Sequence, residues 1–406
     1  MGKLFAMEEL DTGIDVVELE TAPEQGEVAD VQVDVEQEVA EVAEGSEAIE
    51  EGMDAADQLE QVEEVVAAAA EEGEGLDPVA AEAIKIAVEA ICARVGANPK
   101  AVYALYATEN FQSASSRKAN TKIALEGVGE FLKDMWKKIK AALQRLWVKA
   151  KEFFAKHVSS LGRVKTALDS MKQKVAQSSG KIEKAYLEEA PASLAEAFVA
   201  KTDVTADVAS AIVAAHVVAG KASTNVAANG AAATAAGLEA VKKNVAVELG
   251  KLTGTYELGT EAAPLVGGVY VKYDVKTEDG ELVVEVERQT VEKGAKAGLS
   301  VAEKAKLAGL LSDTLSLIAE DVKEKAAFDK REAEFNKGMV EIEKALNETV
   351  KDQASAEAAK EVRKSLKVVY KANAKVPSIV AEKVALDVKL AKAVLGYASV
   401  CLKNYK

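Results

Sequence analysis

The sequence predicts a mainly α protein: a helical bundle with one long basic amphipathic helix, a small β-hairpin insertion and a disordered acidic N-terminal arm. Three observations carry this. About a fifth of the 406 residues are alanine and only 5% are aromatic, a balance that favours helix because alanine loses no rotamer freedom there. Apolar residues recur at three- and four-residue steps over long stretches, whereas clear period-two alternation occurs near residues 267–291. Charge is also divided unevenly: residues 1–80 carry a net −25 and the remainder a net +9, so the overall pI of 4.9 describes neither part. At roughly 150 residues per domain, the length allows two or three folded units.

Residues 1–76 alternate short Val/Ala groups with acids and hold one aromatic, Phe5. Self-repulsion and scarce apolar surface predict an arm that is disordered or transiently helical. Asp77-Pro78 supplies an N-cap followed by a helix-starting proline. Ile84, Val88, Ile91 and Val95 then form one stripe, and Gly96 stops the helix. Asn98-Pro99 starts a second short helix ending near Tyr106, and the polar run 108–121 reads as an exposed linker. Residues 117–184 are net +11 and contain both tryptophans, Trp136 and Trp147. Leu125, Val128, Leu132, Met135, Ile139, Leu143, Leu146, Ala150 and Phe153 mark the apolar stripe of a long basic helix, widened by the tryptophans and Phe154.

Pro191, Ser193 and Glu196 suggest a capping box, and residues 203–247 an alanine-rich helical tract interrupted at Gly220, Gly230 and Gly237. Val269, Val271, Tyr273 and Val275, then Asp279-Gly280, then Leu282, Val284 and Val286 spell a hairpin. Because an isolated hairpin is marginal in water, a third strand is expected near Thr255–Leu258, or packing on helices. Ser300 and Glu303 suggest another capping box, opening a long charged helix to about Ala374; Pro377 breaks it before a last helix over 379–402. The expected organisation is an acidic arm (1–76), a short helical pair (77–109), a basic and alanine-rich helical region (110–250), the hairpin insertion (251–298) and a C-terminal helical region (299–406).

Chemistry is sparse. Two cysteines, Cys92 and Cys401, make neither a disulfide scaffold nor a four-thiolate zinc site. The N-terminal residues lack the apolar core of a signal peptide, and Val208–Gly220 is too short and alanine-rich to span a bilayer. His157 and His216 lack a cysteine or aspartate at a telling spacing and read as packed core residues. No phosphate loop is present, so neither an enzyme nor a cofactor is expected. The basic helix keeps three readings: a bundle helix with solvated lysines, a phosphate-neutralising surface for duplex DNA, or an anionic-membrane surface helix. Its basic face comprises Lys133, Lys137, Lys138, Lys140, Arg145, Lys149 and Lys151.

The stretch 124–164, ALEGVGEFLKDMWKKIKAALQRLWVKAKEFFAKHVSSLGRV, follows an acidic leader and an ICARVG-ended helix. In this order and over residues 75–165, the chain resembles internal head proteins of large tailed bacteriophages. The resemblance implies a non-enzymatic structural protein, made in the bacterial cytoplasm and packed in the virion interior with capsid and prohead components. It also implies that residues 77–109 end a propeptide removed by a maturation protease that cuts after glutamate. On that basis Ala107-Thr108-Glu109, beside the polar run, is the first candidate processing site, and Ala124-Leu125-Glu126 the second. Cutting after Glu109 would remove a net −25 and leave a body of +9, suited to nonspecific contact with DNA. The alternative from another class is a membrane-active amphipathic helical protein.

Overall fold

The computed structural model describes residues 30–72, 74–98, 111–199, 203–243, 245–291, 297–351 and 356–405, and most of these are helical. They fall into two compact units, one built on Ala40–Leu146 and one on Val33–Val39 with Trp147–Lys406.

The first unit contains most of α1 (Asp30–Glu72), α2 (Pro78–Val95) and the first part of α3 (Ala114–Gln177). Helix α1 corrects the expectation of disorder across 1–76, which now concerns residues 1–29, outside the described residues. Wound as a helix, Val42, Ile49, Met53, Ala56, Leu59 and Val66 fall at steps of three, four and seven and are all buried, while Glu44, Glu47, Glu51 and Asp54 stay exposed. The high acid content therefore lies along a solvated face and does not prevent burial of the other. Helix α2 matches its sequence signals. The Asp77 side chain accepts the Ala80 N–H at 2.7 Å, the four stripe residues are buried, and Gly96 ends the helix at φ 74°.

The second short helix expected over 98–106 lies almost wholly outside the described residues. The expected linker is corrected in its described part: Phe111 is buried and α3 begins at Ala114. Ser113 Oγ accepts the Ser116 N–H at 3.2 Å, so the run of serines serves as a helix start. Gly75 lies against the Arg117 backbone, where a Cβ would come within 2.6 Å, and the neighbouring Leu76 N–H donates to Thr121 Oγ1 at 2.8 Å.

In the second unit, α5 (Ala206–Lys243) packs against α6 (Lys304–Lys351), α7 (Ala356–Ala374) and α8 (Val376–Lys403), while α4 (Ala192–Phe198) packs on α8. The glycines expected to interrupt α5 do not; the helix is continuous. They are points of close approach instead: a Cβ at Gly237 would lie 2.4 Å from Val369 Cγ2, and one at Gly230 would lie 2.9 Å from Asn373 Oδ1. The break at Pro377 is observed, with the proline in the first turn of α8. Neither capping box forms as expected. Pro191 precedes α4 without a side-chain cap, and Ser300 lies in a strand.

The hairpin is observed between β3 (Val269–Glu278) and β4 (Glu281–Thr290), with Asp279 and Gly280 both at positive φ as a type I′ turn requires. The expected third strand, β2 (Gly254–Leu258), pairs antiparallel with β3, giving the order β2-β3-β4. Helix α5 covers β2 and α7 contacts β4, and the exposed end of β4 carries Glu285, Glu287 and Arg288. A second two-stranded pairing joins β1 (Tyr186–Leu187) to β5 (Leu299–Ser300).

Candidate functional site

Helix α3 presents the surface to which the sequence points. Its expected apolar stripe is buried from Val128 to Phe153, with Leu125 half-buried. In the second unit Trp147 stacks on Phe328 and Phe335 of α6, with ring centroids 4.9 and 5.4 Å apart, and Phe154 packs on Phe328 at 4.8 Å.

The seven basic residues do not form a free row. Lys133 and Lys137 are exposed; Lys138, Lys140, Arg145, Lys149 and Lys151 are half-buried. Lys137 pairs with Asp134 at 3.2 Å, and Lys151 donates to Glu332 at 2.9 Å, a bond that holds its ammonium above the ordinary pKa. Lys138, Lys140 and Lys149 also have partners. The positive charge is therefore partly taken up by acids of the chain itself.

One of these acids comes from the acidic segment. Glu38 of α1 pairs with Lys156 of α3, and its Oε2 accepts from His157 Nε2 at 2.8 Å. Burial raises the Glu38 carboxyl pKa, but the two hydrogen bonds outweigh it and hold the group below the usual carboxylate value. Burial lowers His157 despite Glu38, so this contact is a hydrogen bond from a neutral ring and the charge pairing is with Lys156.

Of the candidate processing sites, Ala107, Thr108 and Glu109 lie outside the described residues. Ala124, Leu125 and Glu126 lie more than two turns inside α3, with Ala124 fully buried and Glu126 exposed. Glu126 thus lies well inside the helix, and a protease needing an extended strand would have to unwind it.

The structure also shows a polar cluster that sequence spacing did not reveal. His216 on α5, Asp321 on α6, and Lys383 and Asp387 on α8 are all buried, and none exceeds 4% exposure. Lys383 pairs with both Asp321 and Asp387; Asp387 also bonds His216 Nδ1. His216 Nε2 accepts the Val266 N–H at 2.9 Å, which places the ring proton on Nδ1. Burial lowers the His216 pKa to about 3, so the ring is neutral. His216 and Asp387 are separated by 171 positions, so the pair was invisible as a local motif. The i,i+4 spacing of Lys383 and Asp387 was its one local signal.

Among the described residues no helix is long and apolar enough to cross a membrane, and no group of His, Cys, Asp and Glu is arranged to hold a metal. Comparisons with curated proteins and with solved structures find no match. The family model of the phiKZ-like phage internal head proteins matches residues 15–400. Covering nearly the whole chain, acidic segment and hairpin included, that match shows that the chain belongs to the phiKZ-like phage internal head proteins.

Proposed function

We propose that this internal head protein carries its own polyanionic competitor: the acidic N-terminal segment occupies basic groups of α3 until a maturation protease removes it, leaving a weak polycation beside packaged DNA. The observation supporting this is Glu38 paired with Lys156 and hydrogen-bonded to His157. Charge supports it too, since a cut after Glu109 divides −25 from +9. Cations placed on phosphates release counterions, so the gain in DNA affinity should be greatest at low salt. Severing the chain there cuts the connection between α2 and α3, and the released segment must then dissociate, its buried apolar face included, before the lysines are free for DNA phosphates.

The protease, the DNA and the head components are the partners in this reading. N-terminal sequencing of the protein recovered from mature heads tests it. The expected N-terminus follows Glu109, with Glu126 second. Recovery of intact chains beginning at Met1 from infectious particles would refute removal of the segment. The membrane-active alternative would use the same apolar stripe of α3, which is buried in the folded chain.

A further inference from the structure

The cluster around Lys383 holds two carboxyl groups and one cation. His216 does not supply a second positive charge, because its Nε2 is occupied as an acceptor by the Val266 N–H and its other nitrogen donates to Asp387. The groups facing the cluster come from each packed element: His216 from α5, Asp321 from α6, Lys383 and Asp387 from α8, and a backbone N–H from the turn at Val266. Further out, Lys221, Glu320 and Glu324 line the adjoining cleft, and Lys389 lies beside Gly267. With both aspartates ionised the buried centre would carry a net negative charge, which a low-dielectric interior penalises heavily.

We propose that Asp321 and Asp387 share one proton, held on Asp321, and that the cluster is a proton-loaded latch tying α5, α6 and α8 together. The geometry assigns the proton. Asp387 is paired with Lys383 and also receives the His216 N–H, a bond that favours its ionised form, whereas Asp321 is paired with Lys383 without that donor; the Oδ2 of both aspartates is buried with no hydrogen-bond partner. Burial and the like charge of Asp387 push the Asp321 carboxyl well above its usual range. Burial opposes the charge on Lys383, but its aspartate partners, the ionised Asp387 foremost, outweigh it and keep the group an ammonium. Access for a proton exists: a cleft of about 480 Å³ reaches Lys383 and Ser223, and the Ser223 Oγ is buried without a partner. Gly220 borders this path, its missing Cβ leaving 3.5 Å to Lys383 Nζ.

The pH dependence has a definite sign. A carboxyl with a raised pKa contributes stability that is complete below its unfolded value of 3.8 and is lost as pH rises through the folded value. A histidine lowered from 6.5 to about 3 contributes stability present above 6.5 and lost as pH falls toward 3. Above 3.8 the two run in opposite directions; above 6.5 the histidine contribution no longer changes, so any further fall belongs to the latch.

The test is urea unfolding of the full-length protein across pH, read by Trp147 fluorescence in a Trp136→Phe background. The wild-type midpoint is expected to fall as pH rises above 6.5. Asp321→Asn, which keeps the neutral shape of the protonated acid, is expected to remove that fall and to uncover a loss on the acid side from His216. A flat wild-type midpoint over the alkaline range, or the same alkaline fall in Asp321→Asn, would overturn the proposal. Infrared spectroscopy of the wild type in heavy water decides independently of whether the variant folds. A protonated-carboxyl stretch at neutral pH that disappears in step with the alkaline loss is expected, and its absence at neutral pH would equally overturn the proposal.

Discussion

Replacing a glycine by alanine should change stability in opposite directions at two helix positions. At Gly237 in α5, the added methyl would lie 2.4 Å from Val369 Cγ2 and 3.3 Å from the Ser365 carbonyl oxygen. Carbon atoms in contact sit at about 3.5–4.0 Å, so roughly 1 Å or more of overlap must be relieved. Val369 is β-branched and in α7 has one strongly preferred χ1 rotamer, so turning aside costs about 0.5–1.5 kcal/mol. Moving the helices apart brings the total overpacking cost to about 1–3 kcal/mol. Against this stands a gain of about 1 kcal/mol from helix propensity. Steric cost outweighs the gain over most of that range, and Gly237→Ala should destabilise by up to about 2 kcal/mol. Gly309 in α6 is exposed, with no atom within 4 Å of the added methyl, so there the same substitution keeps only the gain, about 1 kcal/mol. Urea denaturation at unchanged slope measures both. Stabilisation by Gly237→Ala would show that the close approach of α5 and α7 is wrong, and destabilisation by Gly309→Ala would show that the surface around it is not open.

Other outcomes follow from particular side chains. Phe328→Ala removes a ring that Trp147 and Phe154 both contact, and should cost about 3–5 kcal/mol with a change in Trp147 emission in the folded state. In the Asp321→Asn background, protonation of His216 should remove up to roughly 5 kcal/mol as pH falls from 6.5 to about 3, measured by the unfolding midpoint. Cys92 is fully buried, with desolvation raising its thiol to about 11 and Glu89 adding to the shift. It should resist alkylation in the native protein and react once urea unfolds the chain, as mass spectrometry would show. Glu38→Gln should raise affinity for duplex DNA at low salt, and the increment should vanish as salt rises; no change in a binding titration would remove the support that Glu38 lends to the charge-masking reading.

Local chemistry in the sequence carried much of the fold. The Asp77 cap, the Gly96 stop, the Asp279-Gly280 turn and the Pro377 break each act within a few residues and are found where expected. The third strand was foreseen because an unsupported hairpin could not persist. Expectations failed where tertiary packing reassigns a local signal. Gly230 and Gly237 looked like interruptions, yet in a long helix facing α7 and α8 they are the residues small enough to permit contact. The acids of α1 suggested disorder until their helical projection separated them from Ile49, Met53 and Leu59. Ser300 and Glu303 had cap spacing, but Ser300 pairs with Tyr186, more than a hundred positions earlier. On the candidate surface, the sequence identified the basic residues of α3 but not their acidic partners, because Lys151–Glu332 and Lys156–Glu38 span 181 and 118 positions. The Lys383 cluster was missed for the same reason.

The outer strand β4 matters for a protein held inside a phage head. A sheet edge offers unsatisfied amide and carbonyl groups to any neighbouring copy, and confinement inside a phage head multiplies such encounters. Glu285, Glu287 and Arg288 project from that strand, so bringing two edges together would force desolvation of several charged groups for each new ladder bond. Edge-to-edge pairing of neighbouring copies through β4 is therefore disfavoured.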